Sequence, residues 1–180
     1  LQEAIENGVP DNETLTNFVF DDATNLFEGV VARANVMKGQ FLSTGIVKID
    51  ENNVKMDIDY GVPSSAKVAL TDWSKAGADI MGDIQKMVTV AEDSGYVVTN
   101  AVTSLKMINY MRNNTAMQTA VLGAANKRLL TRQELANLLM QEYGITVGRC
   151  DEKFRYRKAD GTLSTGRYFK EDVFTLYEAD

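Results

Sequence analysis

The stretch from Asp21 to Tyr60 constrains this chain most, because its hydrophobic period changes within it from that of a helix to that of a strand. Ala23, Leu26, Phe27, Val30, Val31, Ala34 and Met37 recur at helical spacing and form one continuous stripe. Past Gly39 the period becomes two. Val54, Met56, Ile58 and Tyr60 then share one face, and Lys55, Asp57 and Asp59 the other. Glu51-Asn52-Asn53 supplies polar residues tolerant of positive φ, so the two runs are expected to pair as a hairpin. Gly39 is expected to break the chain between one long helix over about 12–38 and strands at about 40–50 and 53–61. A helix feeding straight into a half-exposed ribbon buries little by itself. It requires another layer or another subunit against it.

Charge and the rare residues narrow the chemistry. The net charge of −6 is uneven: residues 1–100 hold 7 Lys and Arg against 16 Asp and Glu, and residues 101–180 hold 12 against 9. The acidic first part argues against wrapping nucleic acid, which requires neutralising cations. The chain has no His, which removes imidazole as a metal ligand and as an acid–base group. Its single cysteine, Cys150, excludes an intramolecular disulfide and fits a reducing compartment. No run of about eighteen apolar residues offers a membrane span. The start, Leu1-Gln-Glu-Ala-Ile-Glu, has neither an initiator Met nor a signal-peptide pattern, and the chain reads as cut from something longer.

Taken in order, residues 1–8 can close a helix at Gly8, Val9-Pro10 forces an extended link, and Asp11 or Asn12 can cap the long helix. Ser64 to Leu70 is a connector, strand-like at Lys67–Leu70, and a domain boundary is placed near it. A helix is expected over about 75–93, with Ile80, Ile84, Met87, Val88 and Ala91 on one side and Gly95 as its stop. Tyr96–Thr103 reads as a buried strand, and Ser104 can cap a helix from Leu105 to Arg112. Asn113-Asn114 breaks that helix, with another turn or two over 116–123. Thr131 and Glu134 form a capping box for the helix holding Leu135, Leu138, Leu139 and Tyr143. Ile145–Gly148, a hairpin of Lys153–Lys158 and Thr162–Phe169 about Asp160-Gly161, and Val173–Tyr177 supply the last strands. The later half is therefore α+β, around a mixed or largely antiparallel sheet.

Candidate chemistry is sparse. Asp57 and Asp59 share a strand face and can hold a hard cation, or simply form a solvated ribbon face. Asp79 and Asp83 are spaced to pair in a site, or to complement a helix start and face water. Cys150 lacks a His to activate it and reads as a buried, inert side chain. Gly123–Arg128 has the look of a phosphate loop without the Gly-Lys-Ser/Thr ending that makes one. Trp73 is expected to anchor the two halves to each other. Lys153, Arg155 and Arg157 fall on one face of the late hairpin, opposite Phe154 and Tyr156. That hairpin is either a nucleic-acid-binding element over 153–170, a strand edge kept soluble by cations, or one side of a charged subunit contact.

Several phrases agree in order with one family. Phe27–Gly45, with Met37-Lys-Gly-Gln-Phe-Leu-Ser-Thr-Gly45 its most specific part, is followed by the Asp-rich ribbon to Tyr60 and by Trp73-Ser74 ahead of Ala-Asp-Ile-Met-Gly-Asp-Ile. Val97-Val-Thr-Asn100, the Leu105 helix and the late hairpin returning to Val173-Phe-Thr-Leu complete the series. In this order the chain resembles the major capsid protein of lambda-type tailed phages, the E family of phage capsids.

The resemblance implies the Hong Kong 97-like capsid fold, an α+β architecture. Residues 1–68 would then be a peripheral-domain portion holding the spine helix and the long β-hairpin. Residues 69–180 would be a mixed α/β axial domain. It further implies a structural subunit of a phage or prophage head, without catalytic, cofactor or metal residues. Such a subunit self-assembles through hexamers and pentamers into an icosahedral shell around DNA. Its partners are then copies of itself together with scaffold or head-decoration proteins, with no membrane and no specific nucleic-acid site. Location in the virion follows, after assembly in the host cytoplasm. Family members carry an N-terminal arm, an extended loop before the spine helix and further strands after the axial domain, so the chain reads as a trimmed piece. Arg155, Arg157 and Lys158 are the residues expected at a contact between subunits.

Overall fold

The computed structural model describes residues 12–51, 54–158 and 160–178 of the chain, with the backbone alone for 12–19 and 51. The expected helix end at Gly8, the Val9-Pro10 link, the Asp11 cap and the turn residues Asn52 and Asn53 lie outside the described residues. By internal contacts the chain divides into two compact units, Leu1–Val36 and Met37–Asp180.

Helix α1 spans Asn12–Thr44 without interruption. In the first unit its apolar stripe is exposed: Leu26, Phe27 and Val30 each keep about two-thirds of their surface in solvent. The break expected at Gly39 does not occur. A glycine inside a helix costs about 1 kcal/mol, and here it permits a close approach instead, since a Cβ on Gly39 would stand 1.7 Å from the Tyr168 carbonyl oxygen. The helix stops at Gly45, which takes φ +72° and donates its N–H to the Phe41 carbonyl at 2.7 Å. Two other terminal groups are also engaged: Thr175 Oγ1 donates to the Leu42 carbonyl at 2.7 Å, and Ser43 Oγ accepts from Lys170 N–H at 3.1 Å.

Strands β1 (Ile46–Glu51) and β2 (Val54–Asp59) follow, shorter than expected because the helix has taken residues 40–44. They pair antiparallel from Ile46 with Asp59 to Glu51 with Val54. This register puts Val47, Ile49, Met56 and Ile58 on one face, and Lys48, Asp50, Lys55 and Asp57 on the other. Val47 at the base is buried, while Val54 and Met56 toward the far end are half exposed.

Beyond a short 3-10 turn at Ser64–Ala66, where the connector forms no strand, the second unit builds its core from α2 (Ile80–Asp93), α3 (Leu105–Asn113), α4 (Thr115–Leu122) and α5 (Arg132–Tyr143). These pack on a three-stranded sheet ordered β4 (Thr146–Arg149), β3 (Asn100–Thr103), β7 (Phe174–Tyr177). β3 runs parallel to β4 and antiparallel to β7, so the sheet is mixed. Ile80 and Ile84 from α2, Met111 from α3, Leu139 from α5 and Ile145 are essentially fully buried in it. Burying side chains of this size contributes roughly 1.5–3 kcal/mol each.

Local signals set most boundaries. Asp79 caps α2 by accepting from Gly82 N–H at 3.0 Å, so the helix starts at Ile80, and residues 75–78 form turns where helix was expected. Ser104 caps α3, Asn114 caps α4, and Thr131 with Glu134 forms the expected capping box on α5. The buried strand expected over Tyr96–Thr103 is confined to Asn100–Thr103, because β4 and β7 offer partners to those four residues alone; Tyr96 and Val97 are exposed. Strands β5 (Lys153–Arg157) and β6 (Leu163–Arg167) form a separate antiparallel hairpin.

Candidate functional site

The acidic pairs of the sequence serve structure. Asp57 faces Lys48 across the ribbon at 3.5 Å, and Asp50 faces Lys55 at 3.6 Å, exposed pairs that fix register more than they add stability. Asp59 accepts from the Gly61 N–H at 2.8 Å and shapes the turn out of β2. Asp79 is occupied as the cap of α2. Asp83 does not face water as expected: it is 1% exposed. One of its oxygens, Oδ2, accepts from Thr71 N–H (2.7 Å), Thr71 Oγ1 (2.7 Å) and Trp73 Nε1 (2.9 Å), which ties the 71–73 segment onto α2. Burial raises its pKa, but the hydrogen bonds from Thr71 and Trp73 and the charge of Lys86 outweigh it, so the carboxyl stays below its ordinary value of 3.8. Trp73 packs inside this core beside Phe174, ring centres 5.5 Å apart, among core partners that lie between Leu70 and Leu176. No group of three or more Cys, Asp or Glu among the described residues could hold a metal ion.

The lookalike of a phosphate loop is also engaged elsewhere. Arg128 forms a two-pronged pair with Glu134, at 2.9 and 2.5 Å, and that guanidinium, with the Thr131 N–H, holds the Glu134 carboxyl down to about 2. The Cys150 thiol is half-buried and pushed up in pKa by burial and by the Glu152 charge, which is the reverse of activation.

A second, half-buried charge node roots the late hairpin. Asp151 accepts from Leu105 N–H (2.9 Å), Arg149 Nε (2.5 Å) and Arg167 Nη1 (3.1 Å). Burial pushes this carboxyl up, and the two guanidinium groups and the Leu105 N–H more than reverse it. Arg167 continues to Glu171 at 2.6 Å, and Lys106 pairs with Asp172 at 2.7 Å. The base of β5–β6 is thus stitched to the start of α3 and to the approach to β7.

Above that base the cations are unpaired. Lys153, Arg155, Arg157 and Lys158 are exposed and make no ion pair among the described residues. The register sets Arg155 beside Thr165 and Arg157 beside Leu163, so their face also carries Leu163, 69% exposed. On the opposite face the Phe154 ring lies over Gly166, where a Cβ would come within 2.4 Å of it, and it continues to Tyr156 and Tyr168 at ring distances of 5.7 and 5.0 Å. Gly161, at φ +83°, closes the turn with Asp160, whose carboxylate accepts from Thr162 N–H at 2.9 Å. Sequence reasoning found this cationic face but missed Leu163; its alternation with Arg157 across the turn is the signal that places it there. It also missed the Asp83 and Asp151 nodes, which draw partners from up to 46 positions away.

A groove of about 1120 Å³ runs between Phe41–Gly45, the 62–74 segment and β7. Its walls include Val62, Leu70, Trp73, Met87 and Phe174; of its charged groups, Asp72 and Lys106 are paired, with Lys75 and Asp172, while Lys67 and Glu178 also line it. Such a groove suits apolar chain, not polar chemistry on a small substrate.

The fold and these surfaces define a protein whose buried charges organise its scaffold and whose unpaired groups lie on outward faces, the pattern of an assembly component. The family model for phage major capsid protein E matches residues 5–180, and the chain belongs to that family. Its fold is similar to that of a protein described as a prophage capsid protein of E. coli CFT073, with a TM-score of 0.50 and 14% identity over 94% of this chain and 52% of that one. The chain therefore spans about half the length of that relative. No curated protein sequence matches it.

Proposed function

We propose that this chain is the structural subunit, or the larger part of one, of a phage or prophage head that self-assembles into the icosahedral shell enclosing DNA. The observation that carries this reading is the family match over residues 5–180. The exposed stripe of α1 and the cationic hairpin support it, because a shell subunit requires repeated, moderate contacts between identical chains in place of an active site.

On this reading the fold is Hong Kong 97-like, with residues 1–68 peripheral and residues 69–180 axial. Copies associate as hexamers and pentamers, with scaffold or head-decoration proteins as further partners. The subunit performs no catalysis, and it passes from the host cytoplasm into the virion. Arg155, Arg157 and Lys158 stand at a contact between subunits, where charge sets register and rejects wrong partners more than it adds affinity. Electron microscopy of the intact gene product after expression tests the reading. Closed particles of uniform size are expected; monodisperse small species at every concentration would overturn it.

A further inference from the structure

The groove beside β7 follows a main-chain edge. Side chains alternate between the two faces of a strand, yet Val173 to Glu178 line the groove in unbroken succession, so it runs along the rim of β7 and not over one face. β7 ends its sheet, with β3 as its single neighbour. The Thr99 and Thr103 carbonyls accept from the Thr146 and Cys150 N–H groups on the β4 side, at 2.9 Å each. By alternation Asn100 and Val102 turn their main chain toward β7, where Tyr177 and Thr175 meet them. The Val173 carbonyl faces the same way, since it accepts from Thr103 Oγ1 at 2.7 Å. Phe174 and Leu176 therefore point outward, and their N–H and C=O groups make no hydrogen bond on that side among the described residues. Phe174 is buried and Leu176 half-buried, so four main-chain groups open onto apolar walls, where an unmade hydrogen bond is costly.

What satisfies these groups must carry donors and acceptors at strand spacing, which is main chain. Size agrees: an extended segment of about six residues, ~20 Å long, ~4.8 Å wide and ~10 Å across its side chains, fills on the order of 1000 Å³. The groove holds about 1120 Å³, the space of one strand and not of a second sheet. Charge narrows the partner further. Lys67 and Glu178 line the groove, are exposed and make no ion pair among the described residues, one of each sign. We propose that the groove binds an extended peptide segment of a partner protein, which adds a fourth strand to the sheet at β7. The segment is apolar at alternate positions, to meet Val62 and Leu70, and carries one acidic and one basic side chain, to meet Lys67 and Glu178. Its main chain bonds to Phe174 and Leu176 alone, because Thr175 and Tyr177 are committed to β3. The inference goes beyond the shell reading and does not depend on it.

A capped synthetic peptide, Lys-Val-Thr-Val-Thr-Val-Glu, added to the full chain tests this by residue-resolved amide hydrogen exchange. Exchange at Phe174 and Leu176 should slow by roughly tenfold or more, while Thr175 and Tyr177 stay as they are. Two further versions of the peptide, N-methylated on the Val or on the Thr residues, block one edge each of the added strand. One version should lose binding by roughly tenfold and the other keep it, since a single edge faces β7. Ala66→Trp, at an exposed position on the groove wall, should weaken the parent peptide by a similar factor with the thermal midpoint unchanged. No added protection of Phe174 and Leu176 at millimolar peptide would overturn the proposal, as would equal binding by both methylated versions. Protection of these two amides that rises with chain concentration, with no effect of peptide, would overturn it in favour of a second copy on the same edge.

Discussion

The core around Trp73 and the first unit's stretch of α1 are written in the same apolar code and end in opposite environments. On α2, Ile80, Ile84 and Val88 recur at helical spacing and are buried by α3, α5 and the three-stranded sheet. On α1, Leu26, Phe27, Val30 and Val31 recur in the same way, and all of them are exposed. Periodicity is a property of a segment; burial is a property of its neighbourhood. A stripe of such length, exposed among the described residues, is a surface of the kind that association uses, whereas the same pattern on α2 supplies a core.

The contrast can be broken at the core first. Asp83→Ala strands Trp73 Nε1 and the Thr71 donors in a buried site, and a loss of roughly 3–5 kcal/mol is expected in urea unfolding followed by fluorescence of Trp73, the single tryptophan. Because the folded-state pKa of Asp83 lies below 3.8, its contribution is complete above that value and is lost as pH falls through the lower, folded-state one. Asp83→Asn should therefore show a shallower acid-side decline in stability than the parent chain; equal slopes would remove Asp83 from the pH response.

Gly39 and Gly29 give the next test, within one helix. A Cβ at Gly39 meets main chain at 1.7 Å, so Gly39→Ala should lower the thermal midpoint by the equivalent of about 1–3 kcal/mol. At Gly29 a Cβ meets nothing within 4 Å, and Gly29→Ala should stabilise by up to about 1 kcal/mol through helix propensity. Similar losses at both sites would refute the view that α1 is packed by its own chain more closely at Gly39 than at Gly29. Smallest of all, Phe27→Ala should change unfolding of the dispersed chain by no more than about 0.5 kcal/mol, although the side chain is large. A loss of several kcal/mol would show that the stripe is already covered.

The sequence carried the elements well where a local rule sets them. Thr131 with Glu134, Ser104, the Asp160-Gly161 turn and the alternation in β2 are all resolved within a few residues, and the structure has each of them. It misled where distant chain decides. Gly39 has the composition of a break, yet Tyr168, far along the chain, makes it a close-packing position. Tyr96 and Val97 have the composition of a buried strand, yet the four-residue partners β4 and β7 reach only Asn100–Thr103. The cationic face of β5 was legible from alternation alone. Its anchoring at Asp151 was not, because Leu105 and Arg167 converge on that carboxylate only through the fold.

The seating of Phe154 on Gly166 has a consequence for the opposite side of the same hairpin. The ring occupies the space a side chain at residue 166 would need, so any larger residue there must displace it, and with it the packing on that face of the hairpin. Lys153, Arg155 and Arg157 stand on the other face of the same two strands, so an uncharged pair that never touches the positive row shares its scaffold.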